Sequence, residues 1–158
     1  MRYDVSFADL QVQPLAAVDL DVPAPERIAD LIGPAFDEAS GAASRQGIAL
    51  TGPPVAGYLP GADGWRVTVG FPVAGVVSPE GRVHAATLPG GRFALVTHTG
   101  PYDGLVAAYA AVRDYALENG FACEDGWWER YLDTPDVPAP RTEVLVACHP
   151  VRPHATAP

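Results

Sequence analysis

The clearest hydrophobic pattern in the chain is a strict alternation. Trp65, Val67, Val69 and Phe71 fall on every second position, with Arg66, Thr68 and Gly70 between them. Side chains alternate faces along a strand, so this spacing predicts a strand with one apolar face. Leu15 to Val22 and Phe93 to Thr99 read as further strands, each running into a proline, Pro23 or Pro101, that opens a helix. In the second helix Leu105, Tyr109, Val112 and Ala116 recur at spacings of three and four, which gives one apolar stripe. Thr99 is placed to cap that helix, Pro101 suits its first turn, and Gly120 suits its left-handed stop. In the first helix Ile28, Leu31, Ile32, Ala35, Phe36 and Ala39 form the stripe. Gly33-Pro34 is expected to break or kink it, and Gly47 to end it.

These punctuation marks occur twice, in the same order. Ala16, Val18 and Pro23 align with Ala94, Val96 and Pro101. Gly47 is followed eleven residues later by Tyr58-Leu59, and Gly120 eleven residues later by Tyr131-Leu132. Each Tyr-Leu closes a short strand, and a second strand follows at 65–73 or 142–149. The pattern predicts an α+β domain over 1–150, built from two βαββ repeats at about 3–75 and about 82–150. Two such units pair their antiparallel sheets about a pseudo-twofold axis. Their helices then lie on one face, and a ligand cleft lies between the repeats. Tyr58 and Tyr131 would face each other across it. The tail 151–158 is small, polar and proline-containing, and is expected to be frayed.

Composition narrows the function. A chain of 158 residues is long enough to bury a sizeable core without staples, and 17 prolines with 16 glycines favour many turns over long helices. A formal net charge of −9 disfavours direct contact with nucleic acid. No apolar run is long enough to span a membrane or to serve as a signal segment, so a cytoplasmic protein is expected. Cys123 and Cys148 are compatible with one disulfide, although two core thiols in a reducing cytosol are expected. The four histidines show no metal-ligand spacing, and no nucleophile elbow or phosphate-cradling glycine loop is present. Neither a metal nor a cofactor is expected.

The densest chemistry is Trp127-Trp128-Glu129-Arg130-Tyr131. On a strand, Trp127, Glu129 and Tyr131 share one face, and Trp128 and Arg130 share the other. A carboxylate between two aromatic rings is costly to bury without a partner. In a cleft, that partner would be a cationic ligand whose aromatic body stacks on the rings. Glu129 would otherwise act as a general base on water, with its pKa raised by burial. The plainer alternative is an exposed face on which Glu129 pairs with an arginine. Trp65 and Phe71 would line either the cleft or the core, and Tyr102 and Tyr109 lie on the second helix, Tyr109 on its apolar stripe.

The two-unit layout, Thr99-Gly100-Pro101-Tyr102, the helix running to Asn119-Gly120, and Trp128-Glu129-Arg130-Tyr131 together resemble the GyrI-like, effector-binding domain, over roughly Tyr3 to Pro150. The resemblance implies a cleft for hydrophobic, often cationic, drug-like molecules. It maps the cleft glutamate onto Glu129 and its companion onto Tyr131, with Tyr58 as the aromatic of the first half. Trp65, Phe71, Tyr102, Trp127 and Trp128 complete the candidate ligand-binding set. Many relatives are sensor halves of transcription regulators, but this sequence carries no helix-turn-helix segment and is not expected to regulate by itself. Stand-alone relatives imply two further classes. Some bind or sequester small molecules, in resistance for example, or bind a protein partner. Others resemble cyclopropanoid hydrolases, in which Glu129 and Tyr131 would be catalytic.

Overall fold

The computed structural model describes residues 3–151. Within them, the alternating segments form one curled antiparallel sheet of nine strands. They are β1 (Ser6–Leu10), β2 (Gln13–Val22), β3 (Val55–Gly61), β4 (Gly64–Pro72), β5 (His84–Leu88), β6 (Gly91–Thr99), β7 (Phe121–Cys123), β8 (Trp127–Tyr131) and β9 (Arg141–Pro150). Two helices, α1 (Ile28–Arg45) and α2 (Leu105–Glu118), cover one face, so the architecture is α+β, a half-barrel with two helices. The strand order is β1-β6-β9-β8-β3-β4-β2-β5, with β7 paired to β9. Between its outer strands this order is a palindrome about the β3–β8 junction. From that junction outward, each side meets the second, the third and the first strand of its own strand-helix-strand-strand unit.

Three strands lie outside the sequence pattern. β1 precedes the first unit but pairs with β6, and β5 precedes the second unit but pairs with β2. The short links after them therefore cross. Gly90 sits at that crossing, where a Cβ would lie 2.9 Å from both the Leu10 carbonyl oxygen and the Val12 nitrogen. The residues that join the two expected repeats thus lead into an edge strand, β5. β7 is the third; it is only three residues long.

The helix punctuation holds in part. Gly47 and Gly120 adopt positive φ, 68° and 82°, just beyond α1 and α2. Pro34 lies inside α1 without breaking it, because the helix continues from Ile28 to Arg45. Thr99 does not cap the second helix. Pro101 occupies the cap position of a 3₁₀ turn, Tyr102–Gly104, with no side-chain cap hydrogen bond, and α2 starts only after that turn.

Burial follows the two stripes. Ala35, Ala42 and Ala43 of α1 pack on Val18, Val67 and Val69, and Ala108, Val112 and Ala116 of α2 pack on Ala94, Val144 and Val146. Alanines let both helices approach the sheet closely. Trp127 belongs to the rim of both clusters, at the seam between the two halves. On the helix-free face Leu15, Ala17, Val55 and Leu88 form a smaller cluster with Trp128.

Candidate functional site

The seam is where β3 pairs with β8, Tyr58 opposite Trp127 and Ala56 opposite Glu129. Alternation turns Trp127, Glu129 and Tyr131 toward the helices. Ala56 offers only a methyl group beside Glu129, and Val144 flanks it on β9. Glu129 is 7 % exposed and Tyr58 6 %. The plainer alternative, an exposed Glu129 paired with an arginine, is therefore not what the structure shows.

Both oxygens of Glu129 are engaged. Trp127 Nε1–H donates to Oε2 at 2.9 Å, and the Tyr131 hydroxyl donates to Oε1 at 2.7 Å. A phenol has a single proton. With Glu129 ionised, Tyr131 spends its proton on it, and Tyr58 is then the donor in the 2.9 Å bond between the two tyrosine hydroxyls. The result is a directional chain, Tyr58 to Tyr131 to Glu129, with Trp127 closing the other side. Among the described residues no cationic side chain forms an ion pair with Glu129, and Arg130 pairs instead with Glu143 on the other face.

The electrostatics follow. Burial raises the Glu129 pKa above its ordinary value, and hydrogen bonds from Trp127 and Tyr131 offset only part of that rise. Burial likewise raises both phenols, and the neighbouring Glu129 charge adds to the effect. A proton on any of these three groups is therefore held more tightly than in water.

Aromatic rings enclose the chain of hydroxyls. Tyr58 stacks on Trp127 at 5.1 Å with 16° between planes, Trp65 meets Trp127 edge-on at 5.1 Å, and Tyr109 tilts onto it at 4.6 Å. Phe36 and Tyr102 approach Tyr131 edge-on at 6.0 and 6.1 Å. The structure thus gathers Tyr58, Trp65, Tyr102, Trp127, Glu129 and Tyr131. Phe71 is one ring further out, 5.7 Å from Phe36. Trp128 is not in this group. It lies on the helix-free face over Gly57, where a Cβ would come within 2.8 Å of the indole ring. Tyr109 and Phe36 join from the helices; their stripe positions read as core, and only the helix packing brings them to the seam.

The arrangement is closed. A hollow of about 880 Å³ does open nearby, but on the helix-free side, with Asp19, Arg66, Thr68, His84 and Trp128 among its walls. Tyr58 and Trp127 reach its edge, whereas Glu129 does not line it. The covering rings leave Glu129 almost wholly buried.

A curled antiparallel sheet under two helices, with an enclosed carboxylate and an aromatic cage at its seam, defines a small-molecule-binding class of domain. The GyrI-like small molecule binding domain matches residues 3–148, and the chain belongs to that family. Its fold is shared with the C-terminal domain of EcmrR (TM-score 0.81, 21 % identity, 96 % of this chain and 100 % of that one). It is also shared with a hydrolase from Listeria innocua (TM-score 0.67, 15 % identity, 92 % and 91 %). SAV2435 bound to tetraphenylphosphonium is similar as well (TM-score 0.58, 12 % identity, 94 % of both chains). No curated protein sequence matches the chain. Among the described residues no helix is long and apolar enough to cross a membrane.

Proposed function

We propose that this domain binds hydrophobic cationic small molecules at the seam, with Glu129 as counter-charge and Tyr58, Trp65, Tyr102, Trp127 and Tyr131 as the cage. The observation that carries this reading is a buried carboxylate that receives only hydrogen-bond donors and faces no cation among the described residues. Removing a charge from water costs several kcal/mol, and hydrogen bonds repay part of that cost. A ligand cation supplies the missing attraction, and π-faces favour the same charge. The structural relative SAV2435 was solved with a ligand of this kind, tetraphenylphosphonium. Calorimetry with tetraphenylphosphonium and with neutral triphenylphosphine oxide tests the idea. The cation binds at micromolar level and the neutral analogue more weakly. Glu129→Gln costs about 1.5–3 kcal/mol of cation affinity, as for a lost charged hydrogen bond. Equal affinity of wild type and variant removes the counter-charge role.

The hydroxyl chain favours a second reading, hydrolysis of a strained three-membered ring. Glu129 would take a proton from water, the resulting hydroxide would attack a ring carbon, and the breaking ring bond would leave its electron pair on the substrate's conjugated acceptor. Tyr131 would donate to the developing charge. Here Glu129→Gln binds the substrate but forms no water adduct by mass spectrometry. An adduct formed no faster by wild type than by buffer sinks this reading alone.

A further inference from the structure

β7 and β8 run along the same side of β9, but not in one register. Cys123 pairs with Cys148 and Trp128 with Leu145. Four residues, 124–127, therefore span what two residues, 146–147, span on β9. The excess makes a bulge that ends on Trp127, and bulges re-aim the side chains they carry. The foot of this bulge is the Cys123–Cys148 pair.

The ladder fixes the geometry of that pair. Glu124 N–H donates to the Ala147 carbonyl at 2.9 Å, and Val151 N–H to the Gly120 carbonyl at 2.8 Å. Hydrogen-bonded and non-hydrogen-bonded pairs alternate in an antiparallel ladder. Cys123 and Cys148 are therefore a non-hydrogen-bonded pair, where Cα atoms lie about 4.5 Å apart, inside the disulfide range of about 4.4–6.8 Å. Both side chains enter the cluster under α2. Cys148 is buried, whereas Cys123 is half-buried and so within reach of a small reagent.

We infer that Cys123 and Cys148 are a dithiol–disulfide pair whose oxidation clamps the bulge carrying Trp127 and so gates the seam. The oxidant is a low-molecular-weight disulfide. The Cys123 thiolate attacks one of its sulfurs and expels one thiolate. The Cys148 thiolate then attacks Cys123 Sγ and expels the second. The two thiol protons end on the two expelled thiolates. Burial raises both thiol pKa values, so the exchange quickens as pH rises. In the reduced state the bulge is held from outside by Tyr109, whose hydroxyl donates to the Asp125 carbonyl at 3.4 Å, and by Arg113, which donates to the Glu124 carbonyl. A covalent clamp at its foot restricts the motion that uncovers Glu129.

The test is oxidation of the whole chain with glutathione disulfide, followed by non-reducing peptide mapping and amide hydrogen exchange. One Cys123–Cys148 disulfide and slower exchange across 124–128 are expected, reversed by dithiothreitol and absent in the Cys123→Ser, Cys148→Ser double variant. Free thiols, a stable glutathione adduct on Cys123, or unchanged exchange overturns the clamp. Gating rests on the ligand-binding reading. Stopped-flow association of tetraphenylphosphonium slows several-fold on oxidation, and equal rates in both states overturn gating. No binding by the reduced protein sinks the ligand reading, while the exchange result still decides the clamp.

Discussion

Glu129→Gln has a consequence for the fold that needs no ligand. In the wild type, burial raises the Glu129 pKa above its unfolded value. A group raised in this way keeps its proton longer in the native state. Its contribution to stability is fully present below the unfolded pKa and is lost as pH rises through the folded one. Over that interval the wild type loses about 1.4 kcal/mol per pH unit at this one site. Glutamine does not titrate, so the variant escapes the loss. It also gives up one acceptor, since its amide nitrogen must face either Trp127 Nε1–H or the Tyr131 hydroxyl, at a cost of roughly 1–3 kcal/mol. In acid, where neither side chain is charged, what remains of that cost is constant with pH. The variant should therefore be the less stable protein in acid and should gain on the wild type as pH rises from the ordinary glutamate range. For a chain this size each kcal/mol moves the Tm by about 2–4 °C. Calorimetric scans of both proteins at several pH values from acid to mildly alkaline read the difference directly. A stability difference that stays flat with pH would refute a Glu129 held protonated by burial.

Further perturbations test the wiring and its boundaries. Tyr131→Phe breaks two hydrogen bonds and strands the Tyr58 hydroxyl, whereas Tyr58→Phe removes only the terminal donor. Tyr131→Phe should thus cost more in urea unfolding, each lost bond being worth about 1–3 kcal/mol, and the double variant should be non-additive. Additive costs would mean that the two hydroxyls act separately. Trp127→Phe keeps an aromatic ring but removes the donor to Oε2, and should destabilise the domain by about 1.5–3 kcal/mol where Glu129 is ionised and by less in acid. An equal cost at both pH extremes would assign Trp127 to packing alone. Gly57→Ala drives a methyl into the Trp128 indole and should cost about 1–3 kcal/mol with a change in tryptophan emission, yet leave tetraphenylphosphonium affinity unchanged. A large affinity loss there would place Trp128 in the ligand site.

The core elements were legible because their signals are local. Alternation in 65–71 and the three-four stripes of both helices need no tertiary information. The Tyr-Leu marks also singled out Tyr58 and Tyr131, whose hydroxyls meet at 2.9 Å where β3 pairs with β8. β1, β5 and β7 were not legible. Each is short, and two of them pair across unit boundaries, a choice set by how the sheet curls rather than by their own residues. At the site, the shared face of Trp127, Glu129 and Tyr131 followed from strand period alone, but which face met the helices did not. That choice excluded Trp128 and admitted Tyr109 and Phe36, two helix residues whose stripe positions read as ordinary core.

The location of the polar group follows from the way the two halves join. α1 covers β2 and β4, and α2 covers β6, β7 and β9. The junction strands β3 and β8 lie between the two helices. Alanines suffice where a helix lies close, but at the junction the space must be filled by large side chains reaching in from the sheet, and Tyr58, Trp65, Trp127 and Tyr131 do so. Rings with polar tips bring hydrogen-bond donors into the interior, and buried donors need an acceptor. Glu129 is that acceptor. Among the described residues, the seam brings together aromatic surface, a buried carboxyl group and incomplete helix cover, and on the proposed reading a cation with an aromatic body replaces the rings without leaving the carboxylate unpaired.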